Sequence, residues 1–170
     1  YIAPVVTLTE ADVIGELTIQ TMRPRKESCN RVRGTFPDAT RQWETTDYPP
    51  VKNAIYLGQD KGVEIWQNLD LPFTSSQTMA QRLAKIEMEK SRQGITVSGV
   101  FGLRALDILA GETVAFTLSR MGWSSKVFLV EEWELVELHG AFSVVLGVGL
   151  VLRETASALY DWNEGEETTW

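Results

Sequence analysis

The residues with the most chemical potential gather in Leu103–Leu135, "LRALDILAGETVAFTLSRMGWSSKVFLVEEWEL", which carries Glu112, Glu131, Glu132, Glu134, Trp123 and Trp133. Carboxylates beside tryptophan suit glycoside hydrolysis, where two carboxyl groups sit about 5–9 Å apart on opposite sides of the bond they cleave. In "VEEWELVE" an extended chain sends alternate residues to opposite faces. Glu132 and Glu134 then share one face, and Glu131, Trp133 and Leu135 share the other. Two neighbours on one strand face lie roughly 6.5–7 Å apart, so distance alone admits the pair. Both point the same way, however, and no cleft is implied. The reading favoured here is a solvated outer face, with Trp133 turned into a core.

The remaining reactive types are sparse. His139 is the only histidine and precedes Gly140 in a hairpin-turn pattern. A catalytic triad would need a nucleophile and a carboxylate beside it. Zinc needs three or four ligands, which one His and one Cys do not supply. Cys29 lies among arginines, which can lower a thiol pKa, but it has no base near it in sequence and reads as a passive thiol. "LGVGL" lacks the third glycine of a phosphate-binding turn and lies inside a strand pattern, where glycines mark bulges or bends. No catalytic residue, metal ligand or cofactor site is expected, and the chain is read as a non-enzyme.

The charge balance narrows the partners. The 170 residues carry a formal charge of −7, and Glu131–Trp170 contains nine carboxylates, one arginine (Arg153) and no lysine. Open nucleic-acid binding needs the opposite sign. One basic stretch, "RPRKESCNRVRG", sets Arg23, Arg25, Lys26, Arg31 and Arg33 against Glu27. It reads as a solvated loop entering a strand, or alternatively as a patch facing an acidic partner. A single cysteine excludes an intrachain disulfide, and no run reaches the ~18 apolar residues of a membrane helix. The chain opens at Tyr1 directly in strand-like "YIAPVVTL", which reads as a piece of a longer chain.

These residues are positioned by mostly extended elements. "TLTEADVIG" reads as a short turn or helix capped by Thr9 or Thr7 and stopped by Gly15. "ELTIQTM" alternates Leu17 and Ile19 with Thr18 and Gln20, and "CNRVRGTF" sets Val32, Gly34 and Phe36 opposite Arg31, Arg33 and Thr35. "PDATRQWETTDYPPVKN" reads as a long irregular stretch, because Pro37, Pro49 and Pro50 exclude helix and central strand. "AIYLGQD" and "GVEIWQNLDL" read as paired strands turning at Asp60–Gly62. One helix is clear: Thr74 and Gln77 form a capping box, Met79, Leu83 and Ile86 form the apolar stripe, and Gly94 stops it.

From Ile95 onward the pattern is all strand. Ile95, Val97, Phe101 and Leu103 share a face, a turn falls at Ala110–Gly111, and Val114 and Phe116 face a core. "KVFLVEEWELVEL" and "FSVVLGVGLVLRE" then form a long hairpin. Short turns between many strands point to a small barrel or sandwich. The fold class is mainly β with one amphipathic helix (α+β).

Five segments in this order resemble a known family: "NRVRGTF", "TDYPPVKN", "LDLPFTSSQTMAQRLAKIEMEKSRQGITV", the Leu103–Leu135 stretch, and "LVLRETASALYDW". The chain is similar, over about Leu17–Trp162, to the tail-tip hub region of the tip attachment protein J (central tail fibre) family of lambda-like phages. The resemblance implies small β-barrel hub domains like those of phage baseplate hub proteins. It implies a structural protein of a phage or prophage tail tip, a virion component made in the bacterial host cytoplasm. As a homo-oligomer, a trimer, it would form a ring joining the tail tube to the host-recognition fibre and opening for DNA ejection. Its partners would be the distal tail protein, the tape-measure protein and other tail-tip proteins, with DNA only in transit. The domains expected are 1–22, the end of a preceding hub segment; 23–94, a β-plus-helix hub domain; 95–162, a β-barrel hub domain; and 163–170, an acidic tail or linker. Two departures from the family stand out: "VELHGAFSVVLGVGLVL" is longer and more apolar, and the loop is shortened around Pro37–Arg41.

On this reading the candidate residues have scaffold or interface roles. Arg31, Arg33 and Trp66 belong to the basic strand region. Arg104 and Asp107 fix the turn at Gly111 or pair with each other. Trp123, after Gly122, closes a loop over the barrel end, and Trp133 fills the core. Arg153, Glu154, Tyr160, Asp161 and Trp162 dock the exit segment on the barrel. An acidic ring surface would let DNA pass without sticking. The alternative is a carbohydrate-binding or adhesion module, which would expose Trp43, Trp66 or Trp123 on a flat face. A third reading, a cell-wall hydrolase, would rest on Glu132 and Glu134.

Overall fold

Alternation of apolar and polar side chains governs most of the molecule, and the chain answers with strands. The computed structural model describes residues 2–139, 144–163 and 165–168. In chain order the elements are β1 (Val6–Thr9), β2 (Val13–Gln20), β3 (Arg31–Arg33), β4 (Thr35–Asp38), β5 (Glu44–Asp47), β6 (Val51–Lys52), α1 (Ala54–Gln59), β7 (Trp66–Asn68), α2 (Gln77–Arg92), β8 (Thr96–Phe101), β9 (Thr113–Leu118), β10 (Trp123–His139) and β11 (Val144–Glu154). They form two compact units, Tyr1–Arg23 with Gln93–Ser157, and Pro24–Arg92 with Ala158–Trp170. This division departs from the linear boundaries expected of the sequence. The segment 1–22 supplies β1 and β2, the two outermost strands of the sheet otherwise built from 93–157.

The first unit is one six-stranded sheet, ordered β1-β9-β10-β11-β8-β2 and curled into a half-barrel. Among the described residues of this sheet, only β1 pairs in parallel, with β9. Strand β10 carries two antiparallel ladders, one to β9 that ends at Leu129 and one to β11 that runs to His139↔Val144. A bulge at Glu131 separates the lower and upper parts of the second ladder. The concave face buries Leu8, Val97, Phe101, Phe116, Phe128 and Leu150. Phe116 sits at the centre, edge-on to Phe101 at 5.7 Å and to Phe128 at 6.4 Å between ring centroids. Such pairs add about 0.5–1.5 kcal/mol each beyond the area they bury.

Several expectations for this unit hold and some change. Strand β2 alternates as read, with Leu17 and Ile19 inward. Thr9 does cap the turn before it: its backbone N–H and hydroxyl both donate to Asp12 Oδ2, at 2.7 and 2.8 Å. Gly15 does not stop that turn, because β2 already begins at Val13. Strand β9 buries Thr113 and Ala115 as well as Val114 and Phe116, so both of its faces are covered. Leu103 is 54% exposed, not on the core face, because β8 ends at Phe101 and the chain turns there. The turn at Ala110–Gly111 is present. Gly111 has φ +92°, and its N–H donates to the Val130 carbonyl at 2.8 Å. The hairpin turn expected at His139–Gly140 falls, at Gly140, outside the described residues.

The second unit packs α2 on two small sheets, β6-β3-β7 and β4-β5. Helix α2 buries Ala80, Gln81, Ala84, Met88 and Ser91 beside Val32, Phe36 and Tyr48. The stripe expected from Met79, Leu83 and Ile86 lies one position round the helix: Met79 is 56% exposed and Leu83 37%. Small residues let the helix approach the sheet closely, and hydropathy alone missed that face. The side chain reaching back to the first turn is that of Ser76, whose hydroxyl accepts from Met79 N–H at 3.4 Å, rather than that of Thr74.

Two further readings are corrected. "AIYLGQ" is helix α1, because the Asn53 side chain accepts from the N–H groups of both Ile55 and Tyr56. Strand β7 pairs instead with β3, in parallel. The proline-containing stretch is not irregular throughout: β4 and β5 form a hairpin in which Pro37 lies opposite Thr45. A two-stranded ladder leaves one side of each strand open, so a missing N–H is tolerated there.

Phe116→Ala should lower unfolding free energy by about 3–5 kcal/mol, measured by urea denaturation. Leu135→Ser, at a 54% exposed position, should stay within ~0.5 kcal/mol of the parent.

Candidate functional site

Strands β3 and β7 run parallel with Arg31 opposite Trp66 and Arg33 opposite Asn68. Residues two apart on one strand share a face, so both arginines meet the same indole. Their guanidinium carbons each lie 5.3 Å from the Trp66 ring centroid. Arg31 is neutralised by Glu64 at 2.7 Å, and Trp66 Nε1 donates to the same carboxylate at 3.1 Å. Arg33 Nε donates to Asn68 Oδ1 at 3.0 Å. Glu64 thus offsets the charge of Arg31, while Arg33 keeps its charge beside neutral Asn68.

Beside this stack lies a cleft of about 440 Å³, lined by Arg33, Asp47, Tyr48, Trp66, Asn68 and Asp70 among others. Asp70 is held by Thr35, whose N–H and hydroxyl donate to one carboxylate oxygen at 3.0 and 2.9 Å. Gly34 forms part of the wall, and a Cβ there would come within 1.9 Å of the Leu69 carbonyl oxygen. Only glycine lets the two backbones close up at this point. Tyr48 donates its hydroxyl to Leu69 O at 3.0 Å. Burial, with the Asp70 charge behind it, pushes the Tyr48 pKa up to about 12, so the phenol stays neutral.

A buried polar network holds the other end of this unit. Asn30, fully buried, donates to Asp60 Oδ2 at 2.7 Å and to Val63 O at 2.8 Å, and accepts from Ile65 N–H at 2.9 Å. Arg92 closes on both Asp60 oxygens, at 3.2 and 2.5 Å, and donates from Nε to Cys29 O at 2.9 Å. The Arg92 hydrogen bonds hold the Asp60 carboxyl below the usual carboxylate range, overcoming its burial. Cys29 is buried against Ser91, 3.2 Å between Sγ and Oγ, and burial pushes its thiol up rather than down.

The C-terminal segment is bound to α2 over its described residues, which is not the behaviour of a free linker. Buried Gln81 reads the backbone of Thr168 in both directions, donating to its carbonyl at 2.9 Å and accepting from its N–H at 3.0 Å. Lys85 pairs with Glu166 at 2.5 Å, donates to Asp161 O at 3.1 Å, and lies 5.6 Å from the Trp162 ring centroid. Lys90 lies 5.6 Å from the Tyr160 ring centroid. Tyr160, Asp161 and Trp162 are therefore held by lysines of α2 within this unit. Arg153 and Glu154 stay in the half-barrel, paired with Glu131 at 2.9 Å and Lys126 at 2.5 Å.

The other candidates are dispersed over the half-barrel. Arg104 pairs with Asp12 at 3.5 Å, rather than with Asp107. Trp123 packs beside Phe116 and Phe128, and Trp133 against the core. Glu132 and Glu134 are both exposed on the outer face of β10, as read. Of the tryptophans whose exposure would mark adhesion, Trp43 is 65% and Trp66 37% exposed, while Trp123 is half-buried. Sequence reasoning missed Asp47, Asp60, Asp70, Gln81 and Arg92. Only Asp60 had a local signal, the turn before Gly62; the others become partners through pairings far apart in sequence. No helix among the described residues is long and apolar enough to cross a membrane.

Residues 2–133 match the family described as "Putative phage tail protein". The baseplate hub protein pb3 of Escherichia phage T5 is 29% identical over 123 residues, spanning 72% of this chain and 13% of that protein. A chain in the virion of a native gene transfer agent particle shares the fold at TM-score 0.67 and 15% identity, over 99% of this chain and 35% of that one. The chain thus spans a small part of each relative's length.

Asp60→Asn should weaken folding by about 3 kcal/mol, because it leaves Arg92 buried without its counter-charge. Asp60 has a depressed folded-state pKa, so its stabilisation is complete above the unfolded carboxylate range, near pH 4, and fades as pH falls through the folded value. Denaturant melts between pH 2 and 7 should therefore give a shallower acid limb for the variant than for the parent.

Proposed function

The chain belongs to the putative phage tail protein family, and from that premise we propose that it is part of the hub ring at a tail tip, joining the tail tube to the host-recognition fibre. This is the role of the tip attachment protein J family that the sequence resembles. The similarity to a baseplate hub protein supports it. In this reading the ring is a trimer of identical chains. It contacts the distal tail protein and the end of the tape-measure protein, and opens for DNA, which passes without being bound.

One observation carries the reading. The β10–β11 ladder outruns its neighbours: β9 pairing ends at Leu129 and β8 pairing begins at Val148, yet the hairpin continues to His139 and Val144. Leu135, Val144, Val145 and Leu146 on this arm are 44–57% exposed. Three consecutive exposed apolar residues, Val144–Leu146, leave both faces of the strand uncovered. Unpaired edges carrying apolar side chains are an aggregation hazard in a lone monomer and a natural contact in an assembly. The acidic outer face bearing Glu132 and Glu134 suits a surface past which DNA slides, by like-charge repulsion.

Gold-labelled antibody against the chain should mark only the tail tip of particles from the source strain. Particles built with Val145→Glu and Leu146→Ser should lose the label and their infectivity, while the isolated variant keeps the parent's circular dichroism and melting midpoint. Label on the cell surface and absent from opened particles would overturn the hub role.

A further inference from the structure

We propose that the cleft beside Trp66 is a saccharide-binding subsite for one or two neutral hexose or N-acetylhexosamine units. Its volume, about 440 Å³, lies in the range of small-molecule sites and suits one or two sugar rings. The chemistry of its lining selects among ligand classes. Asp47 and Asp70 repel a simple anion, and Arg33 repels a simple cation. A neutral polyol satisfies both signs at once, because each hydroxyl donates to a carboxylate and accepts from a guanidinium or amide N–H. Asp70 commits one carboxylate oxygen to Thr35 and keeps its other oxygen for a ligand. Arg33 commits Nε to Asn68 and keeps its terminal nitrogens.

The apolar wall has the matching form. Trp66 and Pro50 line the cleft and offer ring surface to sugar C–H groups. Trp66 is held in place before any ligand arrives, by the two guanidinium groups and by its Nε1 bond to Glu64. Gly34 brings the β3–β4 corner against the Leu69 backbone, so no side chain from that corner fills the space. Binding to such a preorganised site loses little side-chain entropy. The inference is independent of the ring assembly proposed above, since it concerns one unit of one chain.

The test is calorimetric titration of the 170-residue chain with glucose, galactose, N-acetylglucosamine and chitotriose, with acetate and methylammonium as charged probes. At least one saccharide should bind saturably in the millimolar range, and the charged probes should not bind. Asp47→Asn and Trp66→Phe should each weaken saccharide binding at least tenfold. Trp43→Ala, which removes the 65% exposed tryptophan outside the cleft, should leave it unchanged. An amide-proton NMR spectrum of each variant checks folding, and Asp47→Asn alone decides if Trp66→Phe disturbs the fold. No saccharide binding, binding unaffected by Asp47→Asn, or binding of the charged probes alone overturns the proposal.

Discussion

The two-sided pairing of β10 is the constraint on which the half-barrel depends. One 17-residue strand holds β9 on one edge and β11 on the other, and through them the outermost strands β1 and β2. Its inward side chain Phe128 joins the aromatic cluster around Phe116, so the ladder and the core are built by the same residues. A strand that met only local partners would stop where they stop. Because β10 is paired with β11 well past β9 and β8, it must carry an arm beyond the sheet. The apolar residues there leave the surface of the arm uncovered in the single chain.

The second unit rests on a different balance. Its core is small, and α2 approaches the sheets through alanines, a serine and a buried glutamine. Charged groups inside such a unit are tolerated only when fully paired. Asn30, Asp60 and Arg92 meet that condition, since each spends its polar atoms on the others or on nearby backbone. Gln81 does the same for the C-terminal segment, meeting both the backbone and the hydroxyl of Thr168. The β3–β7 surface carries a polar cleft at its edge.

The family and the two units now bear on each other. A phage tail component needs a rigid frame that survives particle assembly and surfaces that meet its neighbours. The half-barrel supplies the frame and the arm. Arg104, Trp123, Trp133 and Arg153 are dispersed over the half-barrel. The two carboxylates that first suggested hydrolysis sit side by side on an exposed strand face, as the alternation of the sequence required.

Local periodicity in the sequence was enough to determine the strand-rich class, the long hairpin, the helix after Thr74 and the turn at Gly111, because each depends on residues close together along the chain. It also placed Glu132 and Glu134 on the outside and Trp133 inward. It misread "AIYLGQ" as strand, since six apolar or neutral residues fit either period and only Asn53's cap decided for helix. It misplaced the buried stripe of α2, since alanine and serine carry little hydropathy and face the sheet because they are small. Tertiary structure alone joined residues 1–23 to 93–157, brought Asp60 to Arg92 and Asp70 to Thr35, and laid the acidic C-terminal segment on α2. Those partners lie 32 to 108 residues apart, and no local pattern encodes which distant strand or helix a side chain will meet.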